Sequence, residues 1–308
     1  MKIDESVFIR HLQSGQVCTV NIGYADGRPS VEIFRTDELL LEAPNWSPNG
    51  QSLCLNGGGR LWRLEASGGE LTEVDRGGIP TINNDHVLAP HGQSIFVTAN
   101  DGHIYELALE GPAIPRRVTD DNLELAETFF HFLHGVSPDG TELAYAGYGF
   151  DGELDFSKPL KHQDIFAVPA AGGPTVRLTH FGQADGPEYS PDGKYIYINT
   201  EGFAGLGTNS QIGRIERATN RTEQLTFDNR VNWFPHISPD GNTAVYLSFP
   251  PGTIGHPADL EVALKVVPVD DWQNPTHEIW LFGGQGTINV NSWSPGSDAF
   301  AFVAYPFV

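Results

Sequence analysis

Short apolar runs recur along the chain at 51–55, 94–98, 142–146, 195–199, 243–248 and 299–304, each just behind a polar turn. A shorter run, such as 232–237, precedes each turn. The turns are variants of one tetrapeptide: Ser47-Pro48-Asn49-Gly50, Ala89-Pro90-His91-Gly92, Ser137-Pro138-Asp139-Gly140, Ser190-Pro191-Asp192-Gly193 and Ser238-Pro239-Asp240-Gly241, with a decayed copy at Ser294-Pro295-Gly296-Ser297. Proline presets the φ of the second turn residue, Asp or Asn suits the third, and glycine takes the left-handed position that closes a hairpin. Successive copies stand 42, 48, 53, 48 and 56 residues apart. A period of roughly 40–50 residues marks a propeller or a solenoid.

Each of the first five hairpins is followed by two further strand-like runs. Blade one spans 44–74, with strands near 45–46, 51–55, 60–64 and 70–74. Blade two spans 86–118 with outer strands at 103–109 and 114–118, and blade three spans 132–179 with 164–169 and 175–178. Blade four spans 187–226 with 211–217 and 222–225, and blade five spans 232–281 with 263–269 and 277–281. The runs 17–24 and 30–35 have no tetrapeptide ahead of them and form half a blade; 287–293 and 299–304 supply the other half. Pairing the two chain ends in one blade removes open sheet edges. The expected fold is therefore all-β: one domain over 1–308, a six-bladed β-propeller of four-stranded antiparallel blades. Residues 1–15 form an arm, and 16–36 plus 287–308 form the closing blade.

The order of strand, Ser-Pro-Asp-Gly, strand, an Asp-Ile-Phe-like strand and then Arg177-Leu178-Thr179 or Gln224-Leu225-Thr226 resembles the WD40-like repeats of TolB-type propellers. The resemblance covers essentially the whole chain. It implies a stand-alone TolB-like propeller without the extra N-terminal domain of TolB, so TolB's role in envelope assembly is not implied.

Formal charge is −21 and the isoelectric point is near 4.7, which disfavours nucleic acid and anionic membranes as partners. Cys18 and Cys54 lie in apolar strand contexts and read as buried free thiols. The N-terminal stretch has no apolar leader core, and no run of 18 apolar residues exists, so the expected location is cytoplasmic.

In an up-and-down blade, the tetrapeptides all mark one face and the long connections gather on the other: 147–163, 200–209 and 249–261 within blades, and 76–85, 120–131, 181–186, 228–231 and 282–286 between them. Long loops on a rigid scaffold commonly hold the binding site. Aligned on the tetrapeptide, the innermost strands carry Pro44, His86, His134, Pro187, Pro235 and Asn291 three residues ahead of it, and Asn45, Val87, Gly135, Glu188, His236 and Ser292 two residues ahead. His86, His134 and His236 are the candidate metal ligands, for a divalent ion such as Mn, Zn, Fe or Ca; Glu188 is the candidate fourth ligand or base. Against this stands the plainer reading that each histidine bonds loop backbone. Arg230 is placed to neutralise a substrate carboxylate. Asn45, Asp85, His131, Trp233, His256, Gln285 and Asn291 are candidate ligand contacts; His131 beside Phe129, Phe130 and Phe132 reads either as rim packing or as an apolar wall with Trp233 and Phe234, suited to a sugar or other amphipathic ligand. Gly283-Gly284-Gln285-Gly286 and 202–207 lack a following helix, so no nucleotide cofactor is expected, and the acidic run 151–155 does not match an EF-hand. There is no HExxH, CxxC or GxSxG motif. Propeller lyases acting on oligogalacturonate are similar in general plan. They imply a metal-dependent lyase or hydrolase acting on an acidic oligosaccharide; the alternative is a non-catalytic platform for a protein partner on the loop face.

Overall fold

The computed structural model describes residues 8–152, 160–203 and 209–308. Parts of the loops 147–163 and 200–209, and of the runs 151–155 and 202–207, lie outside the described residues. Among those described there is no helix, and six antiparallel sheets form a ring.

β1 (Cys18–Tyr24) and β2 (Val31–Thr36) belong to the closing blade. Blade one holds β3 (Leu41–Trp46), β4 (Ser52–Gly57), β5 (Arg60–Glu65) and β6 (Thr72–Val74); blade two holds β7 (Ile82–Leu88), β8 (Ser94–Ala99), β9 (Ile104–Ala108) and β10 (Arg116–Arg117). Blade three holds β11 (Thr128–Val136), β12 (Glu142–Phe150), β13 (His162–Pro169) and β14 (Val176–Arg177), and blade four holds β15 (Ala184–Tyr189), β16 (Tyr195–Thr200), β17 (Gln211–Glu216) and β18 (Thr222–Gln224). Blade five holds β19 (Val231–Ile237), β20 (Thr243–Phe249), β21 (Leu260–Pro268) and β22 (His277–Gly283). β23 (Ala299–Ala304) pairs with β1, from Thr19 opposite Ala304 to Tyr24 opposite Ala299, so the two chain ends share a blade as expected.

The innermost segment of that blade, 287–293, differs from the regular strand the sequence suggests. It touches β23 through the Trp293–Phe300 bridge and through Ala301 N to Ser292 O and Val303 N to Thr287 O. Local side chains take backbone donors that a ladder would use. Asn289 Oδ1 accepts from Gly286 N at 2.8 Å, and Asn291 Oδ1 accepts from Trp293 N at 2.9 Å. The outermost strands β10 and β14 are also shorter than expected, two residues each, which blunts the sheet edges.

Hydrogen bonds explain the tetrapeptide. Ser137, Ser190 and Ser238 donate Oγ–H to Oδ1 of Asp139, Asp192 and Asp240 at 2.6–2.7 Å. Each Asp Oδ1 accepts the backbone N–H two residues on, and each serine Oγ accepts the first N–H of the next strand. The turn glycines have φ between 70° and 76°, where a side chain would be strained. Apolar cores lie between neighbouring blades, as both faces of every inner sheet are covered.

One irregularity recurs. The register of β3, β7, β11, β15 and β19 slips against its neighbour a few residues ahead of the tetrapeptide. In three of them the fourth residue ahead has positive φ: Ala43 (51°), Gly186 (58°) and Phe234 (54°). Such a bulge re-aims the side chains beside it.

Candidate functional site

The inner strands surround an axial channel that opens into two vestibules, one at each face, and His134 lines both. The bulge separates them. Val87, Gly135, Glu188 and Asn291, two or three residues ahead of the tetrapeptide, line the turn face; Asp85, Phe132, Asp185, Phe234 and Asn289, four or five ahead, line the loop face; His134, three ahead, reaches both.

The turn-face vestibule has a volume of about 400 Å³ and is collared by all six turn prolines, with Trp46, Tyr189 and Trp293 as aromatic wall. Four polar candidates lie at its floor or behind it, and they bond to each other and to backbone. Glu188 accepts from Ile237 N and Asn291 Nδ2, both at 2.7 Å, and its other oxygen lies 2.6 Å from His236 Nδ1. His236 Nε2 lies 2.6 Å from the carbonyl of Ile288. Asn45 donates to the carbonyl of Asn291 and accepts from Leu88 N, both at 2.6 Å.

The loop-face vestibule, about 350 Å³, is lined by Asp85, His134, Asp185, His256, Gln285 and Asn289, with Phe8, Phe132, Tyr148 and Phe234 as walls. His134 Nδ1 donates to the carbonyl of Asn289 at 3.0 Å. Its Nε2 faces Asp185 Oδ1 at 3.3 Å and Asp85 Oδ1 at 3.8 Å, and its ring stacks on Phe234. Burial alone would depress the imidazole, but the two carboxylates outweigh it and raise the pKa to about 9, so the ring is an imidazolium. Asp185 is fully engaged: Tyr148 donates to Oδ2 at 2.5 Å and Gly186 N to Oδ1 at 2.7 Å. Burial opposes its ionisation, yet the hydrogen bond and charge of His134 hold it below the usual carboxylate range. Asp85 is different. Burial raises it to about 6 against the pull of His134. His256, held below the ordinary histidine pKa by burial, donates Nδ1–H to Gln285 Oε1 and packs against Trp233, which stands behind it.

The remaining candidates lie elsewhere. His86 is turned into the blade, with Nε2 3.4 Å from the Cys54 carbonyl and Nδ1 without a partner; burial depresses it to about 4. The register slip in β7 gives the channel position to Asp85. His131 is buried behind the site, bonded to Gly102 O and Asn122 Nδ2, and depressed by burial to about 3. Arg230 bonds Ser248 and lies over Trp280, lining neither vestibule. Thus His86, His134 and His236 do not converge. One is turned away, one has both nitrogens committed, and among the described residues no group of three or more His, Cys, Asp or Glu is arranged to hold a metal ion. The donor set does not fit a three-histidine metal centre.

Asp185, Tyr148 and Asn289 were not among the sequence candidates. Asp185 and Asn289 stand five residues ahead of their tetrapeptides, as do Glu42 and Asn84, and this shared offset was the available signal. An arm from the N-terminal side borders the mouth: Phe8 packs on Phe130 and Phe132, and Arg10 pairs with buried Glu42 at 2.9 Å while also bonding the Gln285 carbonyl.

No family model matches the chain. An uncharacterized protein of Agrobacterium fabrum, Atu1656, is 37% identical over 296 residues, covering 90% of this chain and 92% of its own. A solved structure from Agrobacterium tumefaciens described as a TolB is 34% identical with a TM-score of 0.82, covering 95% of this chain and 99% of that one. An oligogalacturonate lyase in complex with manganese has a TM-score of 0.52 at 14% identity, covering 89% of this chain and 71% of its own; it shares the fold alone. With six blades in the ring, a repeat built on Ser-Pro-Asp-Gly and these full-length matches, the chain belongs to the TolB-like propeller family of its Agrobacterium relatives.

Proposed function

We propose that the protein binds a small, polar, hydroxyl-bearing ligand in the loop-face vestibule. The observation that carries this reading is the buried imidazolium of His134 set between Asp85 and Asp185 under aromatic walls. Buried charges are costly to fold around, and a concave aromatic cavity of this size with a few convergent polar groups is the usual form of a small-molecule site. The hydroxyl of Tyr148, the imidazole of His256 and the amides of Gln285 and Asn289 offer mixed donors and acceptors of the kind a polyol or sugar uses. Asp85, near pKa 6, has the proton affinity of a general acid or base at neutral pH, so hydrolytic or eliminative chemistry is within the site's reach.

An acidic oligosaccharide, the substrate class named for the lyase neighbour, finds less support. Arg230 does not line the mouth and is bonded to Ser248, and Arg10 is already paired with Glu42. The test is a ligand screen by thermal shift on wild type and Asp185→Asn, with elemental analysis of protein purified without chelator. A neutral or cationic polar compound that stabilises wild type and not the variant supports the reading. Stoichiometric metal that is lost in His86→Ala would restore the three-histidine centre and overturn it. A protein partner on the same face is the second reading; its observation is Ile254, 86% exposed in the loop that also carries His256.

A further inference from the structure

We propose that the ligand of the loop-face vestibule carries a protonated amino group that lies against Oδ1 of Asp85; this rests on the reading that the vestibule binds a small polar ligand. The argument begins with charge. The cavity is lined by two carboxylates, Asp85 and Asp185, and one imidazolium, His134, while His256 is held toward its neutral form by burial. One negative charge is left over in a site where the side chains are almost fully buried. Arg10 does not supply the missing cation, because it is paired with Glu42.

Hydrogen bonding assigns the excess to one atom. Both oxygens of Asp185 are engaged, by Tyr148, Gly186 N and His134. Asp85 is 3% exposed and uses Oδ2 to accept from Asn83 Nδ2 at 2.7 Å. Its Oδ1 has only His134 Nε2 at 3.8 Å, beyond hydrogen-bond reach. Asp85 lines the vestibule with this oxygen free of any protein donor, and an ammonium N–H there would offset both its charge and its lone pairs. Burial raises the pKa of Asp85, and the Asp185 carboxylate adds to it, so a cation at this oxygen would favour the ionised form. The walls agree with this assignment. Phe132 and Phe234 line the same cavity as the carboxylate, and the overall charge of −21 draws cations toward the molecule.

Three matched sugars test the proposal on the full chain, at about pH 7, where the amine is largely protonated and the acid ionised, and at equal ionic strength: glucosamine, glucose and glucuronate. The readouts are the thermal-shift dose response and the imidazole NMR signals of His134, in wild type and Asp85→Asn. The expected result is that glucosamine binds at least about tenfold more tightly than glucose, and glucuronate least, with the preference for glucosamine lost in Asp85→Asn. Equal binding of glucosamine and glucose, or a preference for glucuronate, overturns the ammonium assignment and leaves the polar-ligand reading standing. A glucosamine preference that survives in Asp85→Asn overturns the role of Asp85. No response to any of the three in a folded wild type overturns both.

Discussion

The two ends of the axial channel are built from the same inner strands and use their polar groups in opposite ways. At the turn face, Asn45, Glu188, His236 and Asn291 bond to one another and to backbone, so the mouth presents prolines and aromatic rings. At the loop face, Asp85 keeps an unbonded oxygen and His134 keeps a charge. The larger cavity is the turn-face one, yet the unspent bonding capacity lies in the smaller. Satisfaction of hydrogen bonds separates a polar cluster that holds the fold from one that awaits a partner more clearly than cavity size does.

Breaking the turn-face network has the largest expected effect. Glu188→Ala leaves Ile237 N, Asn291 Nδ2 and the His236 ring without their acceptor and is expected to cost about 3–5 kcal/mol in urea denaturation, with Glu188→Gln losing less. A loss below about 1 kcal/mol would mean that this end is not held by its polar core. The loop face responds to pH instead. His134 has a folded pKa of about 9, above the ordinary value of 6.5, so its contribution is fully present below about pH 6 and is lost as pH rises through 9. Wild type is expected to lose roughly 2–3 kcal/mol between about pH 7 and 10, and His134→Gln to show a much flatter profile over that range. The smallest effect has the opposite sign. Asp85 is raised from 3.8 to about 6, so its ionised form weighs against folding above that pH. Asp85→Asn is expected to stabilise the protein by about 1–2 kcal/mol at neutral pH, with the gain vanishing near pH 4, where the wild-type carboxyl is protonated in the fold. A variant that is destabilised at neutral pH would show that Asp85 holds the structure rather than a ligand. Gained stability with lost binding is the usual mark of a functional group.

The contrast between the faces also explains what could be read from the sequence. The tetrapeptide encodes its own hydrogen bonds: Ser137 needs Asp139, Gly140 needs its left-handed φ, and both are visible in one line of residues. Blade number, chain closure and the identity of the loop face followed from that repeat. The site was legible only in part. Asp85, His134, His256 and Gln285 reach the vestibule as expected, but His86 and His236 do not, because a strand that bulges no longer alternates evenly. Ala43 and Phe234 adopt positive φ without any local sequence cue, and only Gly186 at the equivalent place hints at it. Asp185 was missed for the same reason. It becomes a channel residue through the bulge beside it, and its significance depends on His134 from the neighbouring blade.

The shared blade carries a consequence for how the chain is made. Thr19 faces Ala304, so a strand made late completes a sheet begun by one made early. During synthesis, β1 and β2 emerge early and wait with an unpaired edge while the five complete blades form behind them. The ring therefore locks only once β23 has been made and has reached β1. Until then the half-blade is the segment most in need of a chaperone, and a nascent chain that stalls late is exposed to strand exchange with its neighbours on a polysome.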